Sequence, residues 1–232
     1  MTEREKIFGR IREALTVPAP HPGSHGAHGG LEPHTHFNGR PVHVARGWLP
    51  SGGETFEEQV AHFRAASVEL KTDFRFLASR KEALAALAQI RDDEGWKSVA
   101  SHRAELAAST AASLGLPVLH TDDGYDVKAL EACDVGISGC DALVAQTGTV
   151  VVTNRSAGGR ALSVLPPHHV VVATRDQLVR DLTAAFALVQ ERYGADYPSM
   201  ISFITGPSRT GDIERILVLG AHGPKKLTVL CW

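Results

Sequence analysis

The chain has 232 residues, of which 43% are hydrophobic and 22% charged, with a formal net charge of -2. That balance gives no basic field for nucleic acid or an anionic membrane, and no apolar run approaches the roughly 20 residues of a membrane span. Met1-Thr-Glu-Arg-Glu-Lys-Ile-Phe-Gly-Arg10 is charged and lacks the apolar stretch of a secretory signal, so the cytoplasm is the expected location. The three cysteines, Cys133, Cys140 and Cys231, form no close pair and match neither zinc nor iron–sulfur ligand spacing. Buried, inert thiols are expected, with no metal and no cofactor.

Residues 2–15 have Ile7, Ile11 and Leu15 four apart, an amphipathic helix that Pro18-Ala-Pro20 ends. From Pro18 to Gly53 the chain is rich in Pro, Gly and His, with Pro41-Val-His-Val-Ala45 its one extended segment. His21, His25, His28, His34, His36 and His43 fall here; without Cys or carboxylates at ligand spacing they read as a solvated arm. Residues 1–53 are thus expected to be an N-terminal arm and 54–232 one α/β domain.

Regular structure is expected from Glu54. A helix reaches Leu70 with Phe56, Val60 and Phe63 on its stripe, and Phe74 to Ala78 is a short strand. Ser79 caps a helix to Arg91, Lys97 to Ala100 is a strand, Arg103 to Leu114 a helix, and Pro117 to His120 a strand. This alternation implies βαβ units and a mainly parallel sheet with flanking helices. Ala142 to Thr153 then reads as two β segments about Gly148, and Val164 to Ala173 enters a buried strand through two prolines. A helix is expected to carry Leu178, Leu182, Phe186, Val189 and Tyr193; Met200 to Thr205, Ile216 to Leu219 and Leu227 to Cys231 are strands.

Two stretches place Thr, Ser, Gly and an Arg where buried strands stop, which is where open α/β sheets keep their ligands. In Thr205-Gly-Pro-Ser-Arg-Thr-Gly-Asp-Ile-Glu214 a helix starting near Ser208 would direct free backbone N–H groups at an anion. Thr205, Gly206, Ser208, Arg209 and Thr210 are the contacts; alternatively Ser208 only caps and Arg209 pairs with Asp212 or Glu214. Thr147, Gly148 and Thr149 either admit a ligand close to the backbone or form a hairpin bulge. Arg160, after the loop from Asn154 to Gly159, either closes over an anion or belongs to an ordinary loop. His169, His222 and Asp212 are candidates for proton transfer, the histidines because imidazole tunes readily to neutral pH. No Walker A, GxSxG, HExxH or GxGxxG pattern occurs in context.

Asp134 to Thr149, Gly159 to His169, Ile204 to Glu214 and Gly220 to Lys225 resemble the LUD (lactate utilization) domain, lactate-utilization protein C or YkgG-like type, over roughly 54–232. The resemblance implies a NagB/RpiA/CoA-transferase-like fold. It also implies a part in oxidising L-lactate to pyruvate beside iron–sulfur partner subunits, this subunit holding no cluster. The family usually has Glu before Thr-Gly-Thr where this chain has Gln146. An amide cannot form the covalent acyl intermediate open to a carboxylate, which weighs against acyl transfer. Two other readings remain: a stand-alone isomerase or transferase acting on a sugar phosphate or acyl-CoA, and a regulatory ligand-binding module.

Overall fold

A computed structural model describes residues 50–210, 218–220 and 222–232, together with 8–9, 36–37 and 40–41. The chain forms two compact units, Met1–Trp48 and Leu49–Trp232. In the first, residues 8–9 are helical, and β1 (His36–Phe37) pairs antiparallel with β2 (Arg40–Pro41). The rest of the expected 2–15 helix, residues 42–45 of the extended segment, and His21, His25, His28, His34 and His43 lie outside the described residues.

In the second unit α1 (Phe56–Leu70) starts at a capping box. Thr55 Oγ1 accepts the Glu58 N–H at 3.2 Å, and Glu58 Oε2 accepts those of Thr55 and Glu54 at 3.1 and 2.7 Å. After β3 (Asp73–Phe76), Ser79 caps α2 (Arg80–Glu94), which ends on left-handed Gly95. There follow β4 (Val99–Ser101), α3 (Glu105–Ala112), β5 (Val118–His120), α4 (Val127–Glu131), β6 (Val135–Ser138), β7 (Ala142–Val144), β8 (Thr149–Thr153) and β9 (His168–Ala173). The chain closes with β10 (Leu178–Val179), α5 (Leu182–Tyr193), β11 (Ile201–Ile204), β12 (Arg209–Thr210), β13 (Val218–Leu219) and β14 (Lys226–Cys231).

Six strands form a wholly parallel sheet in the order β3-β14-β9-β6-β4-β5. Strand periodicity sorts its side chains to two covered faces. Val135, Ile137, Val170, Val172 and Leu230 pack with Leu87 and Ile90 of α2 and Ala111 of α3. Val171, Ala173, Leu227, Val229 and Cys231 pack with Val60 and Phe63 of α1 and with Leu143, Val150 and Val152. Those last three belong to a second sheet, ordered β10-β7-β8-β11, in which only the β10–β7 pair is parallel. Its outer face, Ala142, Val144 and Val151, carries Ala185, Val189 and Tyr193 of α5. The layers run helices, parallel sheet, mixed sheet, helix. The uninterrupted apolar runs in β8 and β9 follow from both faces being covered.

The boundary of the last helix differs from the sequence reading. Leu178 opens no helix; it pairs with Leu143 in β10, and α5 begins only after Asp181, whose carboxylate accepts the Ala184 N–H at 2.9 Å. Its place in the apolar stripe reflects burial in the core, which strand and helix share. Of the expected 216–219 strand, 218–219 are extended and 216–217 lie outside the described residues. Among the described residues no helix is long and apolar enough to cross a membrane.

Candidate functional site

After β11 the chain turns at Gly206, whose φ of +88° suits a residue without Cβ. The Ser208 N–H then donates to the Pro224 carbonyl at 2.9 Å, and the Ser208 carbonyl accepts the Gly220 N–H at 2.9 Å. Arg209 and Thr210 follow as β12, antiparallel to β13. No helix begins at Ser208, contrary to the sequence expectation. The Gly-Pro turn sends the chain back into a ladder, and the Ser208 N–H expected to meet an anion is spent on Pro224. That leaves the side chains of Ser208 and Arg209 as the candidates for an anion.

Those side chains border a cleft of about 300 Å³. Its walls come from β11 (Ser202, Ile204), the turn (Gly206, Pro207, Ser208, Arg209), the loop from His222 to Pro224, Ser163 and Val164, and His169 and Leu227. His169 and Leu227 are the second residues of β9 and β14, so the cleft opens toward the amino-terminal starts of these parallel strands, not the carboxyl ends where ligands were expected. The second sheet and the 206–209 turn build the pocket there.

Of the sequence candidates, Gly206, Ser208, Arg209, His222 and His169 meet in this cleft. One guanidinium N–H of Arg209 is held by the Leu70 carbonyl at the end of α1, which fixes the side chain while leaving other donors. His222 is exposed at the rim. Thr147, Gly148, Thr149 and Thr205 are not among its walls, and the three threonines form a chain of hydroxyls: Thr147 to Thr149 at 2.7 Å and Thr149 to Thr205 at 2.8 Å. Gly148 (φ +64°) is pressed on α1, where an added Cβ would stand 2.9 Å from Ala66 Cβ, which accounts for a glycine in the hairpin turn. Arg160 donates to the Ser199 carbonyl at 2.8 Å. Thr210 is in β12, and Asp212 and Glu214 lie outside the described residues.

His169 is 1% exposed. Burial, reinforced by neighbouring His168, pushes its pKa down to about 3. The ring is therefore neutral at physiological pH, not poised to titrate there as the sequence reading assumed of a histidine. Ser138 Oγ lies 2.9 Å from the Gly139 carbonyl and 2.8 Å from His169 Nε2, and its single hydrogen can go to either, according to the tautomer of the ring. Nδ1 is buried with no partner. A buried polar nitrogen without a partner costs about 1–3 kcal/mol.

Asp141 escaped the sequence reading, although one carboxylate inside the apolar run Cys140 to Val144 was its signal. It is 1% exposed: Oδ1 accepts the Tyr193 hydroxyl at 2.6 Å and Arg192 Nη1 at 2.8 Å, and Oδ2 accepts Ser156 Oγ at 2.6 Å. It joins β7, α5 and the loop after β8. All three cysteines are free and buried, and burial drives the Cys231 thiol up to about 12 and Cys140 well upward, which keeps both protonated. Among the described residues no group of three or more His, Cys, Asp or Glu could hold a metal.

A parallel sheet layered on a mixed one, with a small cleft bordered by both, defines an α/β protein. A crystal structure of a DUF162 family protein from Deinococcus radiodurans has the same fold: TM-score 0.60, 21% identity, 77% of this chain and 99% of that one. Residues 60–231 match the LUD domain, and the chain belongs to that family. It is 32% identical over 177 residues to lactate utilization protein C of Shouchella clausii, spanning 73% of this chain and 77% of that protein. It is 38% identical over 105 residues to lactate utilization protein C 1 of Bacillus mycoides and 41% over 103 to lactate utilization protein C of Geobacillus kaustophilus. Those two matches span less than half of either relative, 45% and 43%.

Proposed function

We propose that this protein serves L-lactate utilization in the cytoplasm as a subunit that binds a small anion in the cleft bordered by Arg209 and works beside iron–sulfur partners. The names of its relatives support the pathway. One observation carries the ligand reading: an anchored guanidinium shares a small cleft with a buried neutral imidazole, and one ring nitrogen of that imidazole has no partner. Arginine suits a carboxylate through its planar fork of donors, and the Ser208 hydroxyl adds another. Among the described residues the cleft has no acidic side chain that would repel the anion. The electrons of lactate oxidation are assigned to the partners.

The test combines a thermal-shift panel of L-lactate, pyruvate, CoA, acyl-CoA, NAD and sugar phosphates with co-purification. A ligand at 100 times its Kd adds about 2.7 kcal/mol, a rise of roughly 5 °C or more for a protein of this size. The shift should come from a small carboxylate and vanish in Arg209→Ala. A response to sugar phosphate or acyl-CoA, with turnover by the purified chain alone, would replace this reading with the isomerase or transferase one. If no iron–sulfur protein co-purifies and lactate oxidation survives deletion of the chain, the subunit role is wrong.

A further inference from the structure

We infer that the outer face of α5 is a self-complementary surface on which a second copy of this chain docks about a two-fold axis, its α5 running antiparallel to the first. The helices differ in what they turn to solvent. α1 exposes Glu57, Arg64 and Glu69, and α2 exposes Lys81, Asp92 and Asp93. α5 has no charged residue from Leu182 to Gln190. On its outer face Phe186 is 59% exposed, with exposed Ala187 and Gln190 beside it. The apolar surface continues off the helix: Phe186 leans on Phe203 of β11, ring centroids 4.9 Å apart, and Ile201, on the same side of that strand, is exposed. The Tyr197 hydroxyl donates to Gln190 Oε1, which brings a third exposed apolar side chain to the patch. One exposed ring is ordinary; aromatic rings gathered on a charge-free helix face have the composition of an interface core.

Charge at the two ends of this face identifies the occupant. Arg180 stands just before the first turn of α5, and Glu191 is exposed in the last. Setting α5 antiparallel on another α5, with Phe186 of each against Ala187 of the other, brings each Arg180 within a turn of the second copy's Glu191, twice by symmetry. The same operation joins opposite ends of the two helix dipoles. A parallel pairing would instead face Arg180 with Arg180 and Glu191 with Glu191. Within the chain Arg180 meets Glu54 through Nη1 at 3.3 Å and Asp181 through Nε at 3.2 Å, which leaves Nη2 for a further carboxylate. Among the described residues Glu191 has no ion pair, while its neighbour Arg192 is taken by Asp141.

Sedimentation velocity of the full chain over about 1–100 μM, the range in which a small symmetric contact is half-formed, should show one chain giving way to two. Phe186→Glu, a change at an exposed ring, should weaken association at least about a hundredfold while the melting curve stays that of a folded protein. Arg180→Glu should weaken it about tenfold, and adding Glu191→Arg should restore it, a recovery open only to residues that meet across the axis. Ala187→Cys should give a disulfide-linked dimer on mild oxidation, since the three native thiols are buried. A single chain at every concentration overturns the inference, as does a dimer indifferent to Phe186→Glu. A chain that stays single and loses a co-purifying iron–sulfur protein on Phe186→Glu would give the face to that partner and overturn the inference too.

Discussion

The side-chain amide of Gln146 donates to the Pro50 carbonyl at 2.8 Å, tying the segment before α1 to the tip of the β7–β8 hairpin. The Gln146 backbone N–H donates to the Arg180 carbonyl at 3.0 Å, and an added Cβ on Gly52 would stand 2.2 Å from that same oxygen. Gln146 is thus a strap residue, outside the walls of the cleft. Gln146→Glu restores the residue usual in the family but replaces a donor with an ionised acceptor facing a carbonyl. We expect a loss of about 1 kcal/mol in urea denaturation and no acyl transfer from acyl-CoA. A covalent acyl adduct seen by mass spectrometry would show that the position carries chemistry after all.

Asp141 should be among the least replaceable polar residues. Asp141→Asn removes the charge that Arg192 answers, and one of its two acceptor oxygens becomes a donor amide. The cost should be about 2–4 kcal/mol, below the upper range for buried pairs because Arg192 is partly exposed. Tyr193→Phe deletes only one hydrogen bond and should cost about 1 kcal/mol. Equal losses for the two variants, measured by chemical denaturation, would contradict the network.

Gly148→Ala tests whether this glycine serves the turn or a ligand. Its left-handed φ and the 2.9 Å approach to Ala66 Cβ predict a loss of about 1–3 kcal/mol. Affinity for any ligand of the Arg209 cleft should stay within a factor of about two. Lost binding in a variant of undiminished stability would move the site to the hairpin.

Stability should decline on the acid side earlier than carboxylates would make it. Burial pushes His168 down to about 4 and His169 to about 3, while an unfolded histidine titrates near 6.5. Between those values the unfolded chain binds protons that the folded one refuses, so stability rises with pH across the window. Each histidine contributes up to about 1.4 kcal/mol per pH unit. Asp181, held low chiefly by the Ala184 N–H, loses its contribution only below about pH 4. Urea midpoints at pH 7.5, 6 and 5 should therefore fall steadily. His168→Gln should flatten the slope by one proton, and an invariant midpoint would sink the assignment.

The α/β alternation was legible because it is written locally. Ser79 is a cap three residues from the N–H it satisfies, and the valine runs of β8 and β9 declare two covered faces; the equally local cap at Asp181 was masked by an apolar stripe that runs on to Leu178. The second sheet was half legible: its hairpin showed at Gly148, but the partnership of Leu178 with Leu143 depends on a distant strand. Arg209 could be singled out by its Gly-Pro-Ser neighbours. Its setting could not, because whether Ser208 starts a helix or a strand is decided by Pro224 and Gly220, outside any local window. Asp141 and the Ser138–His169 pair were invisible for the same reason, since each works through residues more than ten positions away.

The position of β14 between β3 and β9 has a consequence for how the protein is made. As the chain emerges from the ribosome, β3 finds no neighbour among the described strands of the parallel sheet until β14, the last of those strands in chain order, appears. Until then β3 and β9 each present an open row of backbone groups, and the apolar cores behind them are unsealed. Such long-range closure is slow. The expected outcome is a late, cooperative step in which β14 enters between two waiting edges, with β3 and the start of α1 protected from hydrogen exchange only once it has done so.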